Sequence, residues 1–125
     1  AAKLRHPARP VICFAGDGCL QMTIQELATV AQEGANIVVI VADNGQYGTI
    51  RAHQVRDYPG RPAATAIVGP DFAALARAYG FAAWTVREEA DLAPTLAGAL
   101  SAGRPALLHV LTDPAQLAPG FRAPP

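Results

Sequence analysis

Four short apolar segments recur along the chain and are rich in β-branched residues. They read PVICFA (10–15), NIVVIVA (36–42), AAWTV (82–86) and PALLHVL (105–111). Segments of this length that stay apolar at successive positions are typical of strands buried on both faces, as in a parallel sheet. The pattern therefore predicts four buried parallel strands.

Helical periodicity occupies the intervals between these strands. Apolar residues recur at helical spacing in three intervals, and the third helix is predicted over residues 91–102, with Pro94 near its first turn. The positions are Ile24, Leu27, Ala28 and Ala31, then Phe72, Leu75, Ala76 and Tyr79, then Leu92, Leu96 and Ala99. Gly34 and Gly80 are placed to end the first two helices, and Asp71 to cap the second. This alternation predicts an α/β fold, a parallel sheet flanked by helices.

Composition and charge narrow the functional classes. The chain has 125 residues, of which 51% are hydrophobic, enough for one domain with a core. Ten basic and ten acidic residues give a net charge of +0, so no overall field favours nucleic acid or an anionic membrane. No apolar run is long enough to span a bilayer and no signal-peptide core is seen, so we expect a cytoplasmic protein. The spacing of Cys13 and Cys19 is neither CxxC nor zinc-binding, and we expect one buried and one incidental thiol.

Two polar loops follow the first two predicted strands, GDGCLQ (16–21) and DNGQYGTI (43–50). Ligands of parallel α/β sheets bind beyond the carboxyl ends of the strands, so the loops share one crevice if the strands are neighbours. Gly16 and Gly18 permit close backbone approach to a ligand, and the helix that follows favours an anion such as diphosphate. Asp17 and Asn44 offer the side-chain oxygens that Mg²⁺ prefers. A GDG triplet alone is more often a plain turn, but the two loops together predict a metal and diphosphate site.

The order GDG, helix, apolar strand and Asn-Gly pair resembles the signature of thiamine-diphosphate-dependent enzymes. The stretch GDGCLQMTIQELATVAQEGANIVVIVADNGQYGTIR (16–51) is similar to the C-terminal diphosphate-binding domain of the acetolactate synthase and 2-oxo acid decarboxylase group, and most like the acetolactate synthase branch. The similarity extends more loosely through PDFAALARAYGF and SAGRPALLHVLTDP. The resemblance implies thiamine diphosphate and Mg²⁺ as cofactors.

The resemblance also implies a set of site residues. Mg²⁺ would be held by the side chains of Asp17 and Asn44 and by the carbonyl of Gln46, and the diphosphate would meet the backbone amides of Gly18 and Cys19. The full cofactor-binding set is Gly16, Asp17, Gly18, Cys19, Asn44, Gln46 and Tyr47. Asp43 stands where the family has the first Asn of a pair, which adds a negative charge beside the metal. Because the second residue of that pair is the ligand, we expect metal binding to survive with an altered affinity.

The activity implied is decarboxylation of a pyruvate-like 2-oxo acid, with or without condensation of the product with a second carbonyl, by a lyase or transferase. The activating glutamate of this family lies on a pyrimidine-binding domain, usually of another subunit, so we expect a homodimer or homotetramer and no catalytic residue in this chain. Glu26, on the helix after the first loop, is predicted to be a solvent or interface residue. We expect residues 1–125 to be a diphosphate domain that is incomplete at its N-terminus, lacks the pyrimidine-binding domain and is inactive alone.

Substrate contacts are expected just after the second loop. The candidates are Tyr47, Thr49, Ile50 and Arg51, followed by His53 and Gln54, whereas structural roles are predicted for His6 and His109. Two alternatives stay open: a non-catalytic scaffold or interaction domain with a decayed cofactor site, and one subunit of a split 2-oxo acid decarboxylase.

Overall fold

The computed structural model describes residues 1–117 and Phe121. Helices and strands alternate in it through most of the chain. The elements are α1 (Ala2–Arg5), β1 (Ile12–Gly16), α2 (Asp17–Met22), α3 (Glu26–Gln32), β2 (Val38–Asp43), α4 (Gly48–Asp57), α5 (Phe72–Ala78), β3 (Ala82–Val86), α6 (Glu89–Ser101) and β4 (Ala106–Leu111). The predicted strands are confirmed with small shifts at their ends.

The four strands form one parallel sheet in the order β1-β2-β4-β3. Ile12 pairs with Val38 and Val38 pairs with Ala106, so the first strand, the second strand and the last lie side by side in register. The predicted α/β class, a parallel sheet flanked by helices, is confirmed. Because β1 and β2 are neighbours, the loops that follow them meet at one edge of the sheet.

Apolar side chains pack on both faces of the sheet. One cluster contains Leu20, Leu27, Val39, Val41, Phe72, Ala76, Phe81 and Leu107, and the other contains Val38, Ala82, Ala99, Ala106 and Leu108. Alternate residues of β2 and β4 therefore contribute to opposite clusters, as the continuous apolar pattern of these two strands predicts.

The two outer strands depart from the prediction of burial on both faces: Trp84 and Thr85 of β3 are exposed, and β1 departs further. Ile12, Cys13 and Phe14 are all exposed, and Phe14 is exposed to 73%. β1 lies at the edge of the sheet, where β2 is its one neighbour among the described residues. The expectation of one buried thiol is also wrong, because both Cys13 and Cys19 are exposed. An apolar run predicts a strand, but it carries no information about whether that strand is central or at an edge.

The first predicted helix is two shorter helices. α2 ends at Met22 and α3 begins at Glu26, so the single helical register assumed from the sequence is interrupted. Leu27 is buried as predicted, but Ala28 and Ala31 are exposed, which corrects the predicted inward face. Gly34 follows α3 with a φ of 56°, which is the left-handed conformation expected of a glycine after a helix.

The other two helices agree more closely with their predictions. Asp71 caps α5, since its Oδ1 accepts a hydrogen bond from the N–H of Ala74 at 2.9 Å, and Gly80 follows α5 with a φ of 84°. α6 begins at Glu89, two residues earlier than predicted, so Pro94 lies further inside the helix than expected. No helix within the described residues is long and apolar enough to cross a membrane.

Candidate functional site

A cleft of about 860 Å³ opens at the carboxyl edge of the sheet, between the loops after β1 and β2. All seven residues predicted to hold the cofactor line this cleft. They are Gly16, Asp17, Gly18 and Cys19 from the first loop and Asn44, Gln46 and Tyr47 from the second. The tertiary structure therefore brings the two polar loops together, as their positions after neighbouring strands predict.

The two loops touch at Gly18. A Cβ atom at this position would lie 2.7 Å from Cε1 of Tyr47 and 3.1 Å from Cδ1 of Ile67. These separations are shorter than van der Waals contact between carbon atoms, so a side chain at Gly18 would displace one of its neighbours. The absence of a side chain at Gly18 allows Tyr47 to pack against the first loop and to form a wall of the cleft.

Asp17 is the most unusual group in the cleft. It begins α2, is only 4% exposed, and its Oδ1 accepts a hydrogen bond from the N–H of Gly18 at 2.9 Å. Its Oδ2 is buried and has no hydrogen-bond partner, and its carboxylate is near that of Asp43. Burial and this neighbouring carboxylate raise the pKa of Asp17, against the lowering effect of the Gly18 N–H. A buried, unpartnered carboxylate oxygen is unfavourable unless a cation or a proton meets it.

Asn44 and Gln46 are held by a compact turn at the opposite wall. Asn44 Oδ1 accepts a hydrogen bond from the Gln46 N–H at 3.2 Å, which fixes the amide near the cleft and leaves its oxygen a second lone pair. The side chain of Gln46 donates to the carbonyl oxygen of Pro114, so it points toward the segment after β4. The side chain of Gln46 is therefore engaged elsewhere, in keeping with a ligand role for its backbone carbonyl.

The backbone around Gln46 is fixed by a short antiparallel bridge. The N–H of Tyr47 donates to the carbonyl of Thr65 at 2.9 Å, and the N–H of Ile67 donates to the carbonyl of Gly45 at 2.8 Å. These two bonds involve the groups on either side of Gln46 and do not involve its own carbonyl oxygen. The bridge therefore fixes the position of the Gln46 carbonyl without using its oxygen as a hydrogen-bond acceptor.

Asp43 is satisfied by donors outside the cleft. Its Oδ1 accepts from the N–H of Gly45 at 2.9 Å, and its Oδ2 lies 2.7 Å from Nε2 of His109 on β4. Burial alone would raise the pKa of Asp43, but the hydrogen bonds from His109 and Gly45 outweigh burial and lower it. Asp43 is thus an ionised carboxylate beside Asp17, and it is not among the residues that line the cleft.

The chemistry of the donor set fits a hard cation that shares its ligands with phosphate. Among residues 1–117 and Phe121, no three His, Cys, Asp or Glu side chains are arranged to hold a metal ion. A cation at this edge would therefore depend on the Asp17 carboxylate, the Asn44 amide and the Gln46 carbonyl, together with oxygens from outside the protein. Mg²⁺ is commonly held in this way, by one or two carboxylates plus phosphate and water.

The predicted substrate contacts divide into two groups. Tyr47, Thr49 and Ile50 line the cleft, whereas Arg51, His53 and Gln54 are not among the lining residues. The last three bond elsewhere: Arg51 to the Thr65 hydroxyl, His53 to the Arg56 guanidinium and Gln54 to the backbone of Ala63. Glu26 does not line the cleft either and is exposed at the start of α3, in keeping with a solvent position.

Sequence reasoning missed several residues of the cleft and its surroundings. The lining also includes Phe14, Met22, Thr112, Gln116 and Leu117, of which Phe14 and Met22 are exposed apolar residues that flank the GDG turn. His109 was assigned a structural role, and its contact with Asp43 was not anticipated. One signal was present in the sequence: a histidine in the middle of a buried apolar strand needs a polar partner. Which residue supplies that partner depends on the strand order.

The protein is an α/β domain with a cleft at the carboxyl edge of a parallel sheet, the place where such sheets bind ligands. Residues 1–110 match the family described as thiamine pyrophosphate enzyme, C-terminal TPP binding domain, where thiamine pyrophosphate is the same compound as thiamine diphosphate. The chain belongs to this family, and the resemblance inferred from the GDG and Asn-Gly loops is confirmed.

Its relatives include acetolactate synthases. The chain is 41% identical over 110 residues to the acetolactate synthase of Arthrospira platensis, a match that covers 86% of this chain and 19% of that protein. It is 34% identical over 113 residues to the acetolactate synthase isozyme 1 large subunit of Escherichia coli strain K12, covering 90% and 20%. The thiamine diphosphate-dependent 4-hydroxybenzoylformate decarboxylase of Rhodococcus jostii RHA1 superposes with a TM-score of 0.82 and 33% identity, covering 90% and 21%. The chain spans about a fifth of the length of the relatives it matches.

Proposed function

We propose that this chain binds thiamine diphosphate through Mg²⁺, as part of an acetolactate synthase-like enzyme that decarboxylates a 2-oxo acid. The observation that carries the proposal is the buried Oδ2 of Asp17, which has no partner and belongs to a residue that lines the same cleft as Asn44 and Gln46. Such an atom is stabilised by a cation or a proton, and the pKa of Asp17 is raised for the same reason, namely burial and a neighbouring carboxylate.

Each loop has a distinct task in this proposal. The Asp17 carboxylate, the Asn44 Oδ1 and the Gln46 carbonyl hold Mg²⁺ and neutralise only part of its charge, so the remaining charge attracts the diphosphate. Gly18 lets the backbone approach the cofactor closely, and the amides of Gly18 and Cys19 donate to phosphate oxygens. The Gly18 N–H already donates to Asp17 Oδ1. We therefore expect this N–H to be shared between Asp17 and the diphosphate.

The walls of the cleft provide the setting for the reaction. When bound, thiamine diphosphate supplies a thiazolium ring that accepts the electrons released as CO₂ leaves a 2-oxo acid. Four apolar side chains, Phe14, Met22, Tyr47 and Ile50, line the cleft and would exclude water from this ring, which strengthens the electrostatic interactions around it. Thr49, Ile50 and Tyr47 are the residues we expect to contact the substrate.

The proposal requires a partner. No carboxylate within the described part of the cleft is free to act as the activating glutamate, since Asp17 is assigned to the metal. We therefore expect a pyrimidine-binding domain, from another subunit of a cytoplasmic homodimer or homotetramer, to supply that glutamate. Residues 1–125 then form a diphosphate domain that has no lyase or transferase activity by itself, and the product of decarboxylation is either released or condensed with a second carbonyl.

Calorimetric titration of thiamine diphosphate into the full-length protein, with and without Mg²⁺, tests the cofactor assignment. We expect binding only with Mg²⁺, and loss of that binding in both Asp17→Ala and Asn44→Ala. Glu33→Ala and Gln32→Ala are matched controls, because these exposed residues at the end of α3 do not line the cleft. Undiminished binding in both Asp17→Ala and Asn44→Ala would refute the site.

The second candidate function is a non-catalytic interaction domain with a decayed site. The carboxylate of Asp43 beside Asp17 is the observation that favours it. A second carboxylate beside Asp17 opposes diphosphate binding unless its charge is compensated. The hydrogen bonds from His109 and Gly45 provide such compensation, which favours the cofactor-binding proposal. A folded full-length protein that neither binds the cofactor nor turns over any 2-oxo acid would favour the interaction domain.

A split decarboxylase would be supported by a pyrimidine-domain protein encoded by the neighbouring reading frame.

A further inference from the structure

His109 is a buried polar residue for which the cofactor proposal has no direct use. It lies on β4 between Leu108 and Val110, is 6% exposed, and makes no contribution to the lining of the cleft. Its Nε2 lies 2.7 Å from Oδ2 of Asp43, which is the residue next to the predicted metal ligand Asn44. A histidine in the centre of an apolar strand costs stability unless its polar atoms have partners, and Asp43 is the partner of Nε2.

The contact fixes the direction of the hydrogen bond. Nδ1 of His109 is buried without a hydrogen-bond partner, which favours leaving it unprotonated, and a carboxylate oxygen accepts hydrogen bonds from N–H groups. The proton of the imidazole must then lie on Nε2, and Nε2–H donates to Asp43 Oδ2. The second oxygen of Asp43 accepts from the Gly45 N–H at 2.9 Å, so both oxygens of this carboxylate are engaged.

The imidazole itself is held rigidly. The ring of His109 packs edge-on against the ring of Phe72, with centroids 5.2 Å apart and planes at 86°. Its Nδ1 is buried and lies 3.9 Å from Oδ1 of Asp71, beyond hydrogen-bonding distance. β4 is paired on both sides, by β2 and by β3, so the backbone that carries His109 is fixed as well.

Asp17 and Asp43 differ in the way their oxygens are used. Both are carboxylates, and they are close neighbours. Both oxygens of Asp43 accept from donors on its own side, whereas Asp17 has one buried oxygen with no partner and lines the cleft. The hydrogen bond from His109 therefore decides whether the Asp43 carboxylate is held away from the cleft or can turn toward the cation.

We propose that His109 is a positioning residue, whose Nε2–H holds Asp43 in place behind Asp17 so that Asp17 alone presents a carboxylate oxygen to the cation. This inference rests on the proposed function. Without the His109 donor, Asp43 would carry an unsatisfied oxygen beside the cation, and its turning would add a second negative charge where the diphosphate must bind. Residues that orient a metal-site group from behind commonly change metal affinity by 10- to 100-fold when removed.

The proposal predicts that the need for His109 depends on the charge of residue 43. In Asp43→Asn, the amide oxygen can still accept from the Gly45 N–H, and the NH₂ group takes the place of Oδ2 and donates to Nε2 of His109 in the other imidazole tautomer. An uncharged residue 43 needs no restraint from His109. Loss of His109 should then matter in the presence of Asp43 and have little effect when an asparagine replaces it.

The test is a double-mutant cycle in the full-length protein, read as the Kd of thiamine diphosphate at saturating Mg²⁺. The Kd of Mn²⁺ in the presence of thiamine diphosphate, measured by electron paramagnetic resonance, is a second readout that does not depend on turnover.

We expect His109→Leu to raise both Kd values by about tenfold or more. We expect His109→Gln, which keeps an N–H donor, and Asp43→Asn to stay within about threefold of the native protein. The double variant Asp43→Asn/His109→Leu should stay within about threefold of Asp43→Asn. His6→Leu, at an exposed position outside the cleft, is the matched control.

Equal loss of affinity on His109→Leu in the native and Asp43→Asn backgrounds would overturn the proposal, because His109 would then act only through packing. Native affinity in His109→Leu would overturn it as well. If His109→Leu does not fold, a double variant that folds and binds supports the proposal, and a double variant that also fails to fold overturns it. A native protein that does not bind thiamine diphosphate with Mg²⁺ refutes the proposed function itself, whereas a native protein that binds and gives additive variants refutes only the role of His109.

Discussion

The ring of Tyr47 packs so closely on Gly18 that a Cβ atom there would lie 2.7 Å from Cε1 of the ring. These residues come from different loops, one after β1 and one after β2, and their contact closes one side of the cleft. Tyr47 is 41% exposed, so its ring is held on one face only and can move if it is pushed. The width of the cleft therefore depends on a residue that has no side chain.

Gly18→Ala should weaken cofactor binding more than it weakens the fold. The new methyl group would force the Tyr47 ring away from the first loop and change the wall of the cleft. We expect the affinity for thiamine diphosphate with Mg²⁺ to fall by about tenfold and the free energy of unfolding to fall by about 1 kcal/mol, at the lower end of the cost of overpacking. Titration calorimetry and urea denaturation of the full-length protein measure the two effects.

Gly98→Ala is the control for that substitution. Gly98 lies inside α6, and a Cβ atom there would meet nothing within 4 Å. Alanine is a better helix former than glycine, so this variant should gain about 0.5–1 kcal/mol in the free energy of unfolding and bind the cofactor normally. Similar losses of affinity in both variants would contradict the role given to Gly18.

Asp17→Asn should stabilise the cofactor-free fold while abolishing Mg²⁺-dependent binding. The substitution keeps the shape of the side chain, removes one of two facing carboxylates and provides an NH₂ group that can donate to Asp43. We expect the free energy of unfolding without ligand to rise by about 1 kcal/mol at neutral pH, the scale of one buried hydrogen bond. Urea denaturation without Mg²⁺ measures this gain. Glu33→Gln, at an exposed position, should change it by less than about 0.5 kcal/mol. A destabilised Asp17→Asn variant that still binds the cofactor would contradict the assignment of Asp17.

Acid should weaken Mg²⁺-dependent cofactor binding through Asp17. Burial and the facing carboxylate of Asp43 raise the pKa of Asp17 above its ordinary 3.8, and the proton that it takes up competes with the cation. As the pH falls through this raised pKa, the Kd should increase by up to about tenfold per pH unit, the slope for one competing proton. Titration calorimetry over a series of pH values measures the slope, and a Kd independent of pH down to 3.8 would contradict it.

The same group has the opposite effect on the stability of the unliganded fold. A raised pKa means that the folded protein holds a proton that the unfolded chain has released, so Asp17 lowers stability as the pH rises from 3.8 through its folded pKa. Asp43, whose pKa is lowered, stabilises the fold above 3.8 and loses that contribution as the pH falls further. Urea denaturation across this range should show the Asp17 contribution in the native protein and not in Asp17→Asn.

Gln54 ties α4 to the segment that follows it. Its Nε2 donates to the carbonyl of Ala63 at 2.9 Å, and its Oε1 accepts from the N–H of the same residue at 3.0 Å. Gln54→Ala removes both bonds and should increase the rate of hydrogen exchange at the Ala63 amide, with a loss of about 1 kcal/mol in stability and little change in cofactor affinity. Gln32→Ala on the exposed face of α3 is the control. An unchanged exchange rate at Ala63 in Gln54→Ala would contradict the contact between α4 and this segment.

The local pattern of the chain was sufficient to predict the four strands and the position of the two site loops. Apolar runs predicted the strands, helical spacing predicted α5, α6 and the region of α2 and α3, and Asp71 was recognised as a cap because capping depends on neighbouring residues. The two loops were placed at one crevice because each follows a predicted strand and the ends of parallel strands share one edge. The roles of the seven residues in cofactor binding came from the resemblance to the family and stay a prediction. These are short-range relationships, which a sequence expresses directly.

Only the tertiary structure decided the features that depend on which strands are neighbours. An apolar run looks the same in a central strand and at an edge, so the sequence did not indicate the exposure of Phe14 on the edge strand β1. The separation of α2 from α3 changed which side chains of α3 face the core. The pairing of His109 with Asp43 joins residues far apart in the sequence, and it exists because β2 and β4 are adjacent in the sheet. Long-range contacts of this kind are set by the packing of the whole sheet, and the residues near each partner in sequence do not encode them.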